Sequence, residues 1–157
     1  MKKFAWLTVL TVLVMMIGSM VSAQAEIIQP YGEGQIGLTA VVLCEELTLR
    51  MGSETSAPKV KTLEYGSQII VDRQADGFAH CFLGDSEDAT EGWVNADYII
   101  IDPAWYRTEG KTPVYAWAST GAPKVALLDG GEILPIVANE GDWLIVSLRG
   151  AVGFIQR

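Results

Sequence analysis

The stretch Leu47–Val60 (LTLRMGSETSAPKV) comes back as TPVYAWASTGAPKV at Thr112–Val125, and this return limits the possible folds more than any other feature of the chain. At an offset of 65, Ala57-Pro58-Lys59-Val60 meets Ala122-Pro123-Lys124-Val125, Leu63 meets Leu128 and Gly66 meets Gly131. Ile69 and Val71 meet Leu134 and Ile136, and Phe78 meets Trp143. After residue 85 the offset falls to 61, so that Gly92-Trp93-Val94 meets Gly153-Phe154-Ile155 and the first copy holds four extra residues in one hairpin loop. Apolar period, turn glycines and a shared tetrapeptide agree, which indicates a duplicated unit.

The unit reads as β. Leu38–Cys44 is rich in apolar and β-branched residues, and Leu47-Thr48-Leu49 alternates. Gly52–Pro58 is small and polar and reads as a loop, after which Val60 and Leu63 are expected to return apolar side chains to the core. Asp76-Gly77 is a tight-turn dipeptide between the strands Gln68–Asp72 and Phe78–Leu83. A polar loop, Gly84–Glu91, precedes Gly92-Trp93-Val94 and a closing Asp97-Tyr98-Ile99. The expected class is all-β: two small barrels, residues 37–101 and 102–157, packed with a short rigid linker. Each is too small to be well stabilised alone. Asp102-Pro103 is the joint and has nothing of a Gly/Ser linker, which places Trp105 near the seam or in plain core packing. Pro135 has no N–H to give, so its strand is expected to be an edge or bulged there.

Met1–Ala25 has the design of a secretory signal peptide: Lys2 and Lys3, the apolar run Phe4–Ile17, then Ala23-Gln24-Ala25. An uncleaved anchor is the alternative. Cleavage leaves 132 of the 157 residues, and loss of the two lysines takes the formal charge from −8 to −10. That sign disfavours nucleic acid, anionic lipid and anionic wall polymers. The expectation is a secreted or cell-surface (extracytoplasmic) protein with no membrane contact after cleavage. Residues 26–36 read as a flexible leader.

Cys44 and Cys81 both fall in the first copy; export permits a disulfide worth about 3–4 kcal/mol, and two separately buried thiols are the alternative. His80, the single histidine, neighbours Cys81 on a strand, and neighbours point to opposite faces. No catalytic residues, metal site or cofactor are expected: one His and two Cys fall short of a zinc set, and the acidic loop Asp85–Glu91 lacks the glycine and terminal glutamate of a calcium loop.

The first copy carries L-x-L-R, a small polar loop ending in P-x-V, L-x-x-G, an aromatic after a turn and G-W-V-x-x-D-Y, through Leu47, Leu49, Arg50, Pro58, Val60, Leu63, Gly66, Phe78, Gly92, Trp93, Val94, Asp97 and Tyr98. This set resembles the bacterial SH3-like (SH3b) domain. Thr48 stands where family members commonly have Asn, and Phe78 where they have Trp. The second copy has Tyr115 for the arginine and Phe154 for the tryptophan, and no D-Y turn follows. The resemblance implies tandem SH3-like barrels of five or six strands, in exported proteins that often accompany wall hydrolases, some binding peptidoglycan.

Aromatic faces carry the binding argument, because they stack on sugars or extended peptides at low entropy cost. The candidate ligand-binding residues are Tyr65, Trp93 and Tyr98 in the first copy, and Tyr115, Trp117 and Trp143 in the second. Trp117, in a small polar loop where its partner is Gly52, is the most telling; Trp93 and Trp143 also suit core packing. The leading expectation is a non-enzymatic exported binding module for a cell-wall peptidoglycan glycopeptide or an extended peptide. A scaffold that docks another exported protein is the alternative.

Overall fold

The computed structural model describes residues 25–28, 34–84 and 89–157; most of the signal segment, part of the leader and the acidic tip at 85–88 lie outside them. Alternating apolar positions fold into β1 (Glu26–Ile27), β2 (Leu38–Val42), β3 (Glu46–Arg50), β4 (Lys59–Glu64), β5 (Gln68–Ala75), β6 (Phe78–Leu83), β7 (Thr90–Asn95) and β8 (Ile99–Ile101). A 3₁₀ turn, Ala96–Tyr98, enters β8 and is capped by the Asn95 side chain, which accepts from the Asp97 amide. The second set is β9 (Ala104–Arg107), β10 (Thr112–Tyr115), β11 (Lys124–Leu128), β12 (Ile133–Glu140), β13 (Trp143–Leu148) and β14 (Ala151–Gln156). The protein is all-β, in two sheets ordered β4-β3-β7-β6-β5-β2-β8, with β1 added on β5, and β11-β10-β14-β13-β12-β9. Among the described residues no helix is long and apolar enough to cross a membrane.

The repeat extends to local irregularities. β12 and β13 coincide with β5 and β6 shifted by 65, and β14 with β7 shifted by 61. The register slips between Leu49 and Arg50 and again between Val114 and Tyr115. It slips between Val71 and Arg73 and, equivalently, between Ile136 and Ala138. Arg50 pairs with Trp93 as Tyr115 pairs with Phe154. Bulges bend a strand over its core, so the same bend recurs in each lobe. The length difference falls at the expected hairpin: residues 84–89 join β6 to β7, whereas Arg149-Gly150 alone joins β13 to β14.

Each lobe has its own apolar centre. Val42, Leu49, Ile69, Val71, Cys81 and Val94 are among those that fill the first, and Val114, Leu128, Leu134, Leu144, Val146 and Ile155 fill the second. Val60 and Val125 are not in them; they are 42% and 52% exposed, correcting the expectation that Val60 returns to the core. Leu63, which is buried, lies three positions after Val60, an odd step that puts the two on opposite faces of β4. The expected flexible leader also begins with structure: Glu26 and Ile27 pair with Gln74 and Arg73, and the Ile28 amide donates to the Asp72 carbonyl at 2.8 Å. The apolar Ile28 side chain packs against the first core and holds the strand down.

Gly92 and Gly153 occupy equivalent points where a strand crosses its neighbour closely. A Cβ at Gly153 would lie 2.2 Å from Val114 Cγ1, and one at Gly92 would lie 2.6 Å from the Arg50 carbonyl oxygen. Both Gly→Ala variants are expected to lower stability in urea denaturation, by about 1–3 kcal/mol. Gly92→Ala is the worse, because backbone cannot swing aside as a valine can; unchanged midpoints would contradict the close crossing.

Candidate functional site

Pro135 lies inside the second sheet, since β12 has β13 on one side and β9 on the other. It is not on an edge, and the bulge falls beyond it, after Ile136. In the first lobe Ile70, its equivalent, pairs with Phe82. In the second lobe the β12–β13 pairing begins only at Ile136, so Ser147, which pairs with Val152 on β14, has no ladder partner on β12 opposite Pro135. Alternation along the strands aims the Ser147 carbonyl at a nitrogen that carries no hydrogen. Tyr65 of the first lobe supplies what the proline cannot: its Oη donates to the Ser147 carbonyl at 3.1 Å.

The same serine makes a second bond across the seam, its Oγ donating to the Leu43 carbonyl at 3.3 Å, and is itself buried. Beside it the β13–β14 turn has φ of 50° at Arg149 and 97° at Gly150. Left-handed backbone is strained for arginine. The turn carries the Arg149 guanidinium to 5.3 Å from the Tyr65 ring centroid and to 3.6 Å from Glu45 Oε2. Tyr65 is therefore held at both ends, by its hydroxyl and by its ring face.

Next to this junction runs a cleft of about 630 Å³ between the lobes, within the usual size of a ligand pocket. Val41, Tyr65, Gly66 and Gln68 form one wall, and Trp105, Arg107, Ile133 and Pro135 form the floor. The floor is one sheet face, because Arg107 pairs with Ile133 and Trp105 with Pro135. Trp105 is 45% exposed and so is not core packing; the short joint puts it at the seam. Among the described residues that line it, Arg107 carries the only formal charge.

Of the six sequence-predicted binding aromatics, only Tyr65 reaches this cleft. Trp93 lies on the outer face of the first lobe with the His80 ring at 5.1 Å and the Arg73 guanidinium at 5.5 Å. Tyr98 is exposed beside a shallow depression of about 400 Å³ that also holds Phe78, Arg50 and Cys44. Tyr115 is buried and meets Trp143 edge-on at 5.7 Å. Trp117 stands 54% exposed in the β10–β11 loop, away from the cleft lining. They do not form one groove. Sequence reasoning named Trp105 for the seam and missed Arg107, Ile133 and Pro135, whose signal is their pairing on adjacent strands.

His80 is buried. Its Nδ1 lies 2.7 Å from Asp72 Oδ1 and its Nε2 lies 3.6 Å from Glu91 Oε2, with Phe82 against the ring. Arg73 holds the other Asp72 oxygen at 2.9 Å. Cys81 faces the opposite way, into the first core. Cys44 and Cys81 are free thiols, so the possible disulfide is not formed. Cys44 is half-buried near the seam, where its Sγ–H donates to the Glu46 carbonyl at 3.4 Å, while Cys81 lies wholly within the core cluster. Among the described residues no group of His, Cys, Asp and Glu could hold a metal ion.

No family model and no curated protein matches the chain. Similar solved structures include NlpC1 from Trichomonas vaginalis, at 16% identity and TM-score 0.38, covering 87% of this chain and 49% of that one. NlpC2 from the same organism matches at 16% identity and TM-score 0.33, over 78% and 47%. An NlpC/P60 family protein from Bacillus cereus matches at 11% and 0.39, over 76% and 54%. The chain spans about half the length of these structures.

Burial pushes the Cys81 thiol up to about 12, with the Asp72 charge adding to the shift, and burial also raises Cys44. The folded state keeps a proton on Cys81 that the unfolded chain releases above its ordinary value near 9. Stability is therefore expected to be intact below that pH and to fall from about 9 to about 12, by up to ~1.4 kcal/mol per pH unit. An alkylating reagent at neutral pH should leave Cys81 unmodified until the protein is denatured. Rapid labelling of the folded protein would contradict this burial.

Proposed function

We propose that this chain is an exported, non-enzymatic binding module of the bacterial cell surface that holds an extended peptide, borne on cell-wall glycopeptide, in the cleft between its lobes. The observation that carries the reading is the pairing of a fixed aromatic wall, Tyr65, with a half-exposed aromatic floor, Trp105, across a groove of ligand size. Flat rings that are already immobile give contact area at little entropic cost. The duplicated unit, its bulges and its strand order suit a tandem of bacterial SH3-like domains. Neither thiol is activated, and both His80 nitrogens face carboxylates, which supports binding without chemistry. Arg107 gives the cleft a positive charge on a protein that is acidic overall, which favours ligands that bring a carboxylate to it.

A scaffold role has one observation in its favour: Val125 and Leu127 stand 52% and 61% exposed on the edge strand β11, as a docking surface would.

The test is retention of the mature protein on insoluble peptidoglycan at low salt. Trp105→Ala is expected to weaken retention about tenfold, the loss of roughly one stacked ring, without moving the urea midpoint. Trp117→Ala, outside the cleft, should leave retention unchanged. No retention of the parent protein, or sensitivity to Trp117 alone, would overturn the assignment of the cleft.

A further inference from the structure

The two lobes differ at one edge. In the first, β2 has β5 on one side and β8 on the other; in the second, β9 has β12 on one side and, among the described residues, no strand on the other. Register defines the equivalence. Leu38 pairs with Val71 and Ala104 with Ile136, which matches Thr39 and Val41 to Trp105 and Arg107.

The direction of the backbone groups follows. The Thr108 amide donates to Glu132 at 2.9 Å and its carbonyl accepts from Gly131 at 2.7 Å, so Thr108 faces β12. Successive residues alternate between edges, which turns the amides and carbonyls of Trp105 and Arg107 outward. The first lobe shows the same alternation completed: the Asp102 amide donates to Thr39 at 2.7 Å and the Leu43 amide to Tyr98 at 2.9 Å, both on the β8 side. An open edge of this kind is a template for one more strand.

We propose that the free edge of β9 takes an extended protein segment as an added antiparallel strand, in the place that β8 occupies in the first lobe. β8 shows what fits such an edge: three consecutive residues, Ile99 to Ile101, paired with Val42, Val41 and Ala40. The residue opposite Arg107 exchanges both backbone hydrogen bonds with it and points its side chain into the cleft, where a carboxylate meets the lone guanidinium. Two residues later the segment lies opposite Trp105, and an apolar side chain there covers the exposed ring. The motif is an acid, any residue, then a large apolar residue. Tyr65 and Gln68 line the same cleft as the floor, and its volume of about 630 Å³ suits one extended segment rather than the edge of a second folded copy.

This inference rests on the cleft being the binding site, and it adds the mode and the ligand class. The probe is the capped hexapeptide Thr-Val-Glu-Val-Ile-Thr, titrated into the mature protein and followed by NMR with amide exchange. Binding should slow exchange at the Trp105 and Arg107 amides. N-methylation of the glutamate nitrogen should weaken binding about tenfold or more, since it deletes one ladder bond and obstructs the edge. Arg107→Glu should reverse the preference between this peptide and its Glu→Lys counterpart. Binding that is indifferent to N-methylation and leaves those amides exchanging would overturn strand addition while leaving the cleft in place. So would peptidoglycan retention that depends on Trp105 with no binding of the peptide. Peptide binding without peptidoglycan retention would support the added strand and overturn the wall ligand. Concentration-dependent dimerisation that protects the same two amides without peptide would assign the edge to a second copy and overturn the proposal.

Discussion

A missing hydrogen organises the seam. Pro135 sits where the first lobe has an ordinary donor, and the Ser147 carbonyl opposite it would be a buried acceptor without a partner, a condition that costs about 1–3 kcal/mol. The hydroxyl of Tyr65 meets that need from the other lobe. Two small sheets that would each be marginal alone are thereby joined by a bond neither can make within itself. The serine hydroxyl on Leu43 and the Arg149–Glu45 pair add to the same junction.

The cleft is a by-product of this junction. Holding Tyr65 on Ser147 fixes the wall, and the two-residue joint from Ile101 to Ala104 fixes the floor beneath it. Trp105 cannot enter either core, because the second core is filled by its neighbours Tyr106 and Leu134 from the opposite sheet face. The groove thus takes its two sides from different sheets, and neither sheet alone supplies both.

Much of the fold was legible because it is local. Alternation, turn dipeptides and the repeat located the strands, the extra hairpin residues and both cores, and Asp76-Gly77 adopts the left-handed pair of conformations (φ 52° and 77°) that a tight hairpin needs. Errors came where one residue had two readings. Val60 fits an apolar pattern but has the wrong parity for the core, and nothing near His80 in sequence announces the cover that Asp72, Phe82 and Trp93 give it. Pro135 signals an edge or a bulge, yet it lies between two strands with the bulge after Ile136, and a partner 70 residues earlier satisfies its neighbour. Binding aromatics were chosen by type, and type does not say which face of which lobe they occupy; Arg107 and Ile133 carry no signal until β9 and β12 are paired.

The account stands or falls on whether the Tyr65 hydroxyl serves the carbonyl that Pro135 leaves free. A double-mutant cycle in urea denaturation tests it directly. Tyr65→Phe alone should cost about 1 kcal/mol. In a Pro135→Ala background, where a restored N–H can reach Ser147, the same change should cost close to nothing. Equal losses in both backgrounds would mean that the proline and the tyrosine are unconnected, and the explanation of the seam would be wrong.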